Sequence, residues 1–369
     1  MLIALCHLLK SPNPLEIQEN IALAALTTFN VGGPARFFVE AHSESDVQQA
    51  LAYAVARRLP LFVIGGGSNL IISDEGWPGL VLKIALRGIE FEGDQQKMLF
   101  HAAAGEDWDN LVALAVGKSC AGIECLSGIP GTVGGTPIQN VGAYGQEVSQ
   151  TIVAVRTLEI ASGNVVELSN PDCGFAYRTS NLNTTMRDKY IVLEVGYLLH
   201  RNGAPTLEYA DLKRFFAEQG SSEPPTLQQV RDAVLAIRRG KAMLIVPGDE
   251  DCRSAGSFFK NPLVSAAEAD RIEALAARVV PEKPLPRYPG ENGMVKLAAA
   301  WLVEQSGFGK GFSRGPVGIS RKHSLAIVNR GGATARDILG FKEEIQHRVF
   351  DQWGVSLHPE PVFVGFNQG

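Results

Sequence analysis

Six glycines fall within the 18 positions from Gly128 to Gly145 in "SGIPGTVGGTPIQNVGAYG", with Pro130 and Pro137 stiffening the run. Structural turns rarely need so many glycines in succession. A chain that must lay its backbone close against a large flat ligand does. Gln139, Asn140 and Tyr144 are then placed to meet such a ligand's polar edge. A second cluster, "VIGGGSNLIIS", follows the apolar run "LPLFVI". Its successive N–H groups can form a concave nest for a pyrophosphate, or the cluster can be a tight turn between two strands. The pattern G-x-G-x-x-G is absent and no helix is expected next, which excludes a Rossmann fingerprint.

The flanking segments alternate between strand and helix signals. "ARFFVEA" is strand-like, "SESD" supplies N-cap oxygens, and Val47, Ala50, Leu51, Ala54 and Val55 keep helical spacing. "MLFHAAA" followed by "GEDWDNLVALAVGK" repeats that order, with Gly117 as the expected helix stop. "TIVAVRTLEIASGNVVELS" reads as a hairpin turning at Ser162–Gly163–Asn164. Beyond about residue 207, "YADLKRFFAEQ" and "TLQQVRDAVLAIRRG" are two helices separated by "GSSEPP", the second opened by a capping box of Thr226 and Gln229. "VPGDEDCRSAG" is a polar crossing between domains. Ser265 with Glu268 caps a further helix; "VKLAAAWLVEQ" and "ATARDILGFKEEIQHRVFDQW" are two more, with strands "SLAIVN" and "PVFVGF" around them. The fold class is α+β throughout.

The 369 residues suffice for two or three domains. A net charge of −5 argues against a general nucleic-acid binder, so an anionic ligand needs a local cluster of donors. Five cysteines without a C-x-x-C pair suggest neither a disulfide framework nor a zinc site, and the seven histidines show no metal spacing. All seven are read as ordinary residues. The start, "MLIALCHLLKSPNP", lacks the basic first residues and cleavage site of a signal peptide, and no apolar run is long enough to span a membrane. A reducing cytoplasm is the expectation. "VGKS" (116–119) imitates the end of a Walker A loop but reads as a helix end, and "GFGKG" (307–311) reads as a loop.

In "RSAGSFFKNP", Ser257 stands between a glycine and two phenylalanines. The G-x-S-x-G elbow is missing and no histidine is near in sequence, so a nucleophile lacks its base. Taken alone, the serine is a turn cap.

Together, "GGGSN", "GIPGTVGGTPIQNVGAYG", "FAYRTS", "GSFFKNP" and "HPEPVFVG" resemble, in order, the UDP-N-acetylenolpyruvoylglucosamine reductase family, from about Thr27 to Phe366. The resemblance implies a two-lobed FAD-binding domain of the vanillyl-alcohol-oxidase (PCMH) type over residues 1–206, with its core at 31–202. A linking loop and helices at 207–242 follow, then a separate α+β substrate domain at 243–353 and a returning C-terminal strand at 354–369. FAD is expected to be non-covalent and held by Ile64, Gly65, Gly66, Gly67, Ser68 and Asn69. From the second loop it meets Ile129, Pro130, Gly131, Thr132, Gly135, Gln139, Asn140, Gly142, Ala143 and Tyr144, with Arg238 beside it.

The implied reaction reduces the enolpyruvyl ether of UDP-N-acetylglucosamine to the lactyl ether, as a soluble cytoplasmic monomer in peptidoglycan precursor synthesis. NADPH reduces the flavin, whose N5 gives hydride to the β-carbon. Charge then develops at the α-carbon and its carboxylate. Ser257 becomes a general acid for that carbon and needs no base. Arg178 in "YRTS" is implied to hold the carboxylate; Glu360 in "HPEPVF" either orients that carboxyl group or supports protonation. Tyr209 in "LEYADL" corresponds to a closing loop, and Lys241, Asn261, Tyr288, Lys296 and Gln305 to positions that meet diphosphate or uridine. The chain departs from the usual pattern in "AMLIVPGDEDCRSAGSFF", where Arg253 and Ser254 replace glycine and asparagine, and at Pro361–Val362. A flavin oxidase of the same superfamily and a non-catalytic sugar-nucleotide binder are the rival readings.

Overall fold

The computed structural model describes residues 15–220 and 223–366; the N-terminal "MLIALCHLLKSPNP" and part of "GSSEPP" lie outside them. The first sheet runs in the order Gln18–Ala22, Pro34–Ala41, Trp77–Ile84, Leu61–Ile64, the last three parallel. Parallel neighbours need a crossover, and the helix Glu44–Arg57 supplies it. Ser43 and Asp46 close its capping box, and its Val47, Ala50, Leu51 and Ala54 are buried. Val55 is 65% exposed, so the apolar stripe is one residue narrower than its spacing suggested.

The second sheet is antiparallel, in the order Val165–Ser169, Ile152–Glu159, Tyr190–Arg201, Lys97–Ala103, Ile89–Gly93, with Cys120–Ala121 also pairing to Tyr190–Arg201. A continuous apolar core joins both sheets with the helices Glu44–Arg57 and Trp108–Gly117. Gly117 is the last helical residue and Lys118 the cap, with the left-handed turn falling on Ser119. Trp108, 1% exposed, packs on Tyr197 and donates from its indole to the Leu126 carbonyl at 3.1 Å. The backbone N–H of Trp108 reaches the Gly131 carbonyl, and that of Gly134 the Ala104 carbonyl. These contacts seat the glycine-rich segment on the sheet.

The helices Ala210–Gln219 and Leu227–Gly240 pack with Cys125 and Tyr144 in a separate small core. A further core gathers the helices Ala266–Val279, Ala299–Gln305 and Ala335–Trp353 with short strands, and also takes in Phe29, Val31 and Ile71 from the first half of the chain. "VKLAAAWLVEQ" is not one helix. Val295–Leu297 is a strand paired on both edges, and the helix begins only at Ala299. Finally Val362–Val364 pairs in parallel with Leu70–Ile72, carrying the chain end back to the first glycine loop.

Candidate active site

The two glycine loops touch backbone to backbone. A Cβ on Gly66 would lie 2.6 Å from the Cα of Gly131, so only glycine allows this approach. Ser68 Oγ donates to the Pro130 carbonyl at 2.8 Å and fixes the loops' register. Among the described residues, no protein acceptor takes the N–H of Gly66, Gly67, Ser68 or Gly131. Unpartnered donors on two abutting loops form a backbone cradle suited to a pyrophosphate. Ile64 is buried at the strand end leading into the cradle, and Thr132 lies against Gly65 across it. Ile129, Pro130, Gly142 and Ala143 are half-buried along the second loop, and Gly135 has open space where a side chain would stand.

Asn140 is 1% exposed and its amide is satisfied within the protein, by Glu147, Ala176 and Ser149. Its side chain shapes the loop rather than facing outward. Asn69 and Gln139 bond to each other at 2.5 Å, and both donate to the Glu360 carbonyl at 3.2 Å. Together with the Val362 N–H on the Asn69 carbonyl, they tie the C-terminal strand to both glycine loops.

That tie brings Glu360 to Arg178, Nε to Oε1 at 3.4 Å. Arg178 has φ 55°, an uncommon conformation for a side-chain-bearing residue. Its other nitrogens face the Gly142 carbonyl at 2.5 Å and Glu147 at 3.8 Å. Burial pushes the Glu360 carboxyl above its ordinary range, with Arg178 and Lys260 pulling it partly back. Lys260 Nζ also donates to the Arg178 carbonyl at 3.2 Å.

Ser257 lies on the segment that pairs with the Glu360 segment. The Phe258 carbonyl accepts from the Glu360 N–H, the Lys260 N–H reaches the His358 carbonyl, and Phe259 bridges to Pro359. Phe258 is wholly buried against Phe29 and Phe363, which anchors its neighbour. Among the described residues no group hydrogen-bonds the half-buried Ser257 hydroxyl. A held backbone with an uncommitted hydroxyl is suited to act on a bound molecule.

Beyond Arg178 the lining is aromatic and cationic. The Tyr177 ring lies 4.3 Å from Lys296 Nζ. The Asn261 side chain accepts from the Ala299 N–H at 2.9 Å, at the start of the helix Ala299–Gln305. Tyr288, half exposed, is paired with Lys296 across two strands. Tyr209 stands edge-on to Tyr144 at 5.3 Å; burial raises its hydroxyl, with Asp211 and Tyr288 adding to the rise and Arg178 opposing it. Lys241 Nζ pairs with Asp211 at 2.6 Å and lies 5.9 Å from the Tyr144 ring. Arg238 is 7% exposed, and burial pulls its guanidinium below its ordinary value.

Gln305 stands one short helix away from Asn261. It ends the helix at whose start the Asn261 side chain bonds, with its carbonyl bonded to Gln352 beside Trp353. Six residues of helix, about 9 Å, separate the two ends. His323 is no ordinary histidine: burial, then Lys241, Lys310 and Arg238, lower its imidazole to about 4. No sequence signal marked it, because its neighbours come from distant segments. Asp211 and Lys260 were also missed, although they flank Tyr209 and Ser257 in the quoted stretches.

This cradle and cleft belong to a defined class. Residues 35–169 match the model of the family described as FAD binding domain, and the chain carries that domain. Residues 247–364 match that of the UDP-N-acetylenolpyruvoylglucosamine reductase C-terminal domain. The UDP-N-acetylenolpyruvoylglucosamine reductase of Saccharopolyspora erythraea is 47% identical over 93% of this chain and 94% of its own. That of Thermobifida fusca is 44% identical over 94% of this chain and 98% of its own. Among solved structures, the reductase of Thermus caldophilus aligns with a TM-score of 0.63 at 25% identity, over 95% of this chain and 98% of that one. The chain belongs to the UDP-N-acetylenolpyruvoylglucosamine reductase family.

Proposed function

We propose that the protein reduces the enolpyruvyl ether of UDP-N-acetylglucosamine to the lactyl ether of UDP-N-acetylmuramate, taking electrons from NADPH. The observation that carries this is the convergence of Ser257, Arg178 and Glu360 where the C-terminal strand meets both glycine loops. FAD, held in the cradle, supplies the hydride chemistry. Arg178 receives the substrate carboxylate: a permanent cation steadies the charge that develops there as the β-carbon gains hydride. Ser257 Oγ gives its proton to the α-carbon. A neutral donor avoids the cost of burying another charge. Glu360, its carboxyl raised by burial, stays protonated to higher pH than a surface glutamate and serves as a neutral hydrogen-bonding partner at the same centre. Lys241, Lys296 and Tyr288 are proposed to meet the diphosphate and uridine, and Tyr209 to close over them.

The reading includes a cytoplasmic monomer acting in peptidoglycan precursor synthesis. No helix among the described residues is long and apolar enough to cross a membrane, and none of their His, Cys, Asp and Glu side chains group as a metal site. The test is product analysis in deuterated water with NADPH and the enolpyruvyl sugar nucleotide. The expected product is the lactyl ether with one solvent deuterium at the α-carbon. Flavin reduction without that product would remove the substrate assignment and favour the oxidase reading.

A further inference from the structure

Outside the cleft, one bidentate ion pair among the described residues is largely withdrawn from solvent on its arginine side. Arg231, its side chain 12% exposed, forks onto Asp109 with contacts of 2.6 and 2.7 Å. The same Asp109 oxygen that receives one arm also accepts the Gly128 N–H at 2.6 Å. Arg238, seven residues after Arg231 and so on the same face of Leu227–Gly240, donates from Nε to the Gly128 carbonyl at 3.1 Å. Gly128 is therefore held at its N–H by Asp109, from the helix Trp108–Gly117 and itself gripped by Arg231, and at its carbonyl by Arg238 from Leu227–Gly240. It is the first residue of the glycine run, at φ 71°, with Leu244 and Leu235 where a side chain would point. Three residues on, Gly131 meets Gly66 and completes the cradle.

We propose that the Asp109–Arg231 pair is a positioning device for the cofactor: it sets the entry angle of the second glycine loop and couples the helix 227–240 to the affinity for FAD. Asp109 orients the Gly128 N–H, and Arg231 orients Asp109. Neither residue touches reacting atoms. The fork matters because two parallel bonds fix the carboxylate plane, which a single charge contact would not. This rests on the reading that the glycine loops hold FAD.

The experiment measures the FAD dissociation constant of deflavinated full-length protein, by recovery of flavin fluorescence, together with the resolved structure of the visible flavin band and the melting temperature without FAD. Asp109→Ala is expected to weaken FAD binding about tenfold or more, in line with a lost charge-assisted hydrogen bond. Arg231→Ala is expected to match it, and the double variant to be no worse than either, since the two act as one unit. Asp109→Asn keeps an acceptor for the Gly128 N–H and is expected to recover part of the affinity. Wild-type affinity and band shape in all variants, with only the melting temperature lowered, would overturn the proposal. So would additive losses in the double variant. If Asp109→Ala does not fold, Arg231→Ala and Asp109→Asn decide. Wild-type protein that fails to retain FAD would instead remove the reading of the loops themselves.

Discussion

Around the flavin cradle the contacts are made to backbone: Gly66 against Gly131, a serine hydroxyl on a proline carbonyl, and N–H groups that no acceptor among the described residues takes. On the substrate side the contacts are between charged and aromatic side chains: Arg178 with Glu360, Lys296 over Tyr177, Lys241 with Asp211. The first arrangement comes from two short stretches of chain seated on sheets. The second draws on segments far apart in sequence, joined by the returning C-terminal strand. A cofactor that remains bound suits a cradle that changes little. A sugar nucleotide that enters and leaves suits side chains that exchange one partner for another; on the proposed reading Lys241 would exchange Asp211 for a phosphate.

The difference can be broken at either end. Gly66→Ala pushes a methyl group against the Gly131 backbone, and the purified protein is expected to have lost its flavin, read as bound FAD per chain. A yellow, stoichiometric variant would show that the loops are free to separate. Arg178→Ala is expected to retain FAD while kcat/KM for the sugar nucleotide falls about 10²–10³-fold, the scale of losing one donor at a developing oxyanion. Loss of FAD together with turnover would put Arg178 on the cradle side instead. Lys241→Ala is expected to raise KM for the sugar nucleotide about tenfold with kcat little altered, the mark of uniform binding. An unchanged KM would leave Lys241 as a partner of Asp211 alone.

The smallest effect concerns His323. Its folded value, about 4, lies below the ordinary 6.5, so folding favours the neutral ring. That contribution is complete above about pH 6.5 and is lost as pH falls toward 4. His323→Gln should therefore flatten the decline of melting temperature across this window. Parallel profiles for the two proteins would remove the histidine from the acid response.

Local chemistry made the cradle and most helices legible. Ser43, Thr226 and Ser265 all cap the helices that follow them. The strand at Val295–Leu297 was not legible, because only its two pairing partners, one on each side, keep "VKL" out of the following helix. The charged half of the site was reached through family resemblance, since nothing within "YRTS" or "HPEPVF" says that these segments meet. Gln305, at the end of its helix, was matched by position in the same way. His323 shows the converse, a residue whose lowered pKa comes first from burial and then from three cations brought to it by folding.

In the proposed mechanism Ser257 acts on the substrate and not in loading the flavin. The direct measurement is anaerobic: wild type and Ser257→Ala are each reduced with NADPH, then mixed with the enolpyruvyl sugar nucleotide while flavin absorbance is followed. Equal bleaching is expected in both proteins, with reoxidation slowed about 10²–10⁴-fold in the variant. Reoxidation as fast as in wild type would contradict that mechanism and leave the proton donor to be sought elsewhere, Glu360 first.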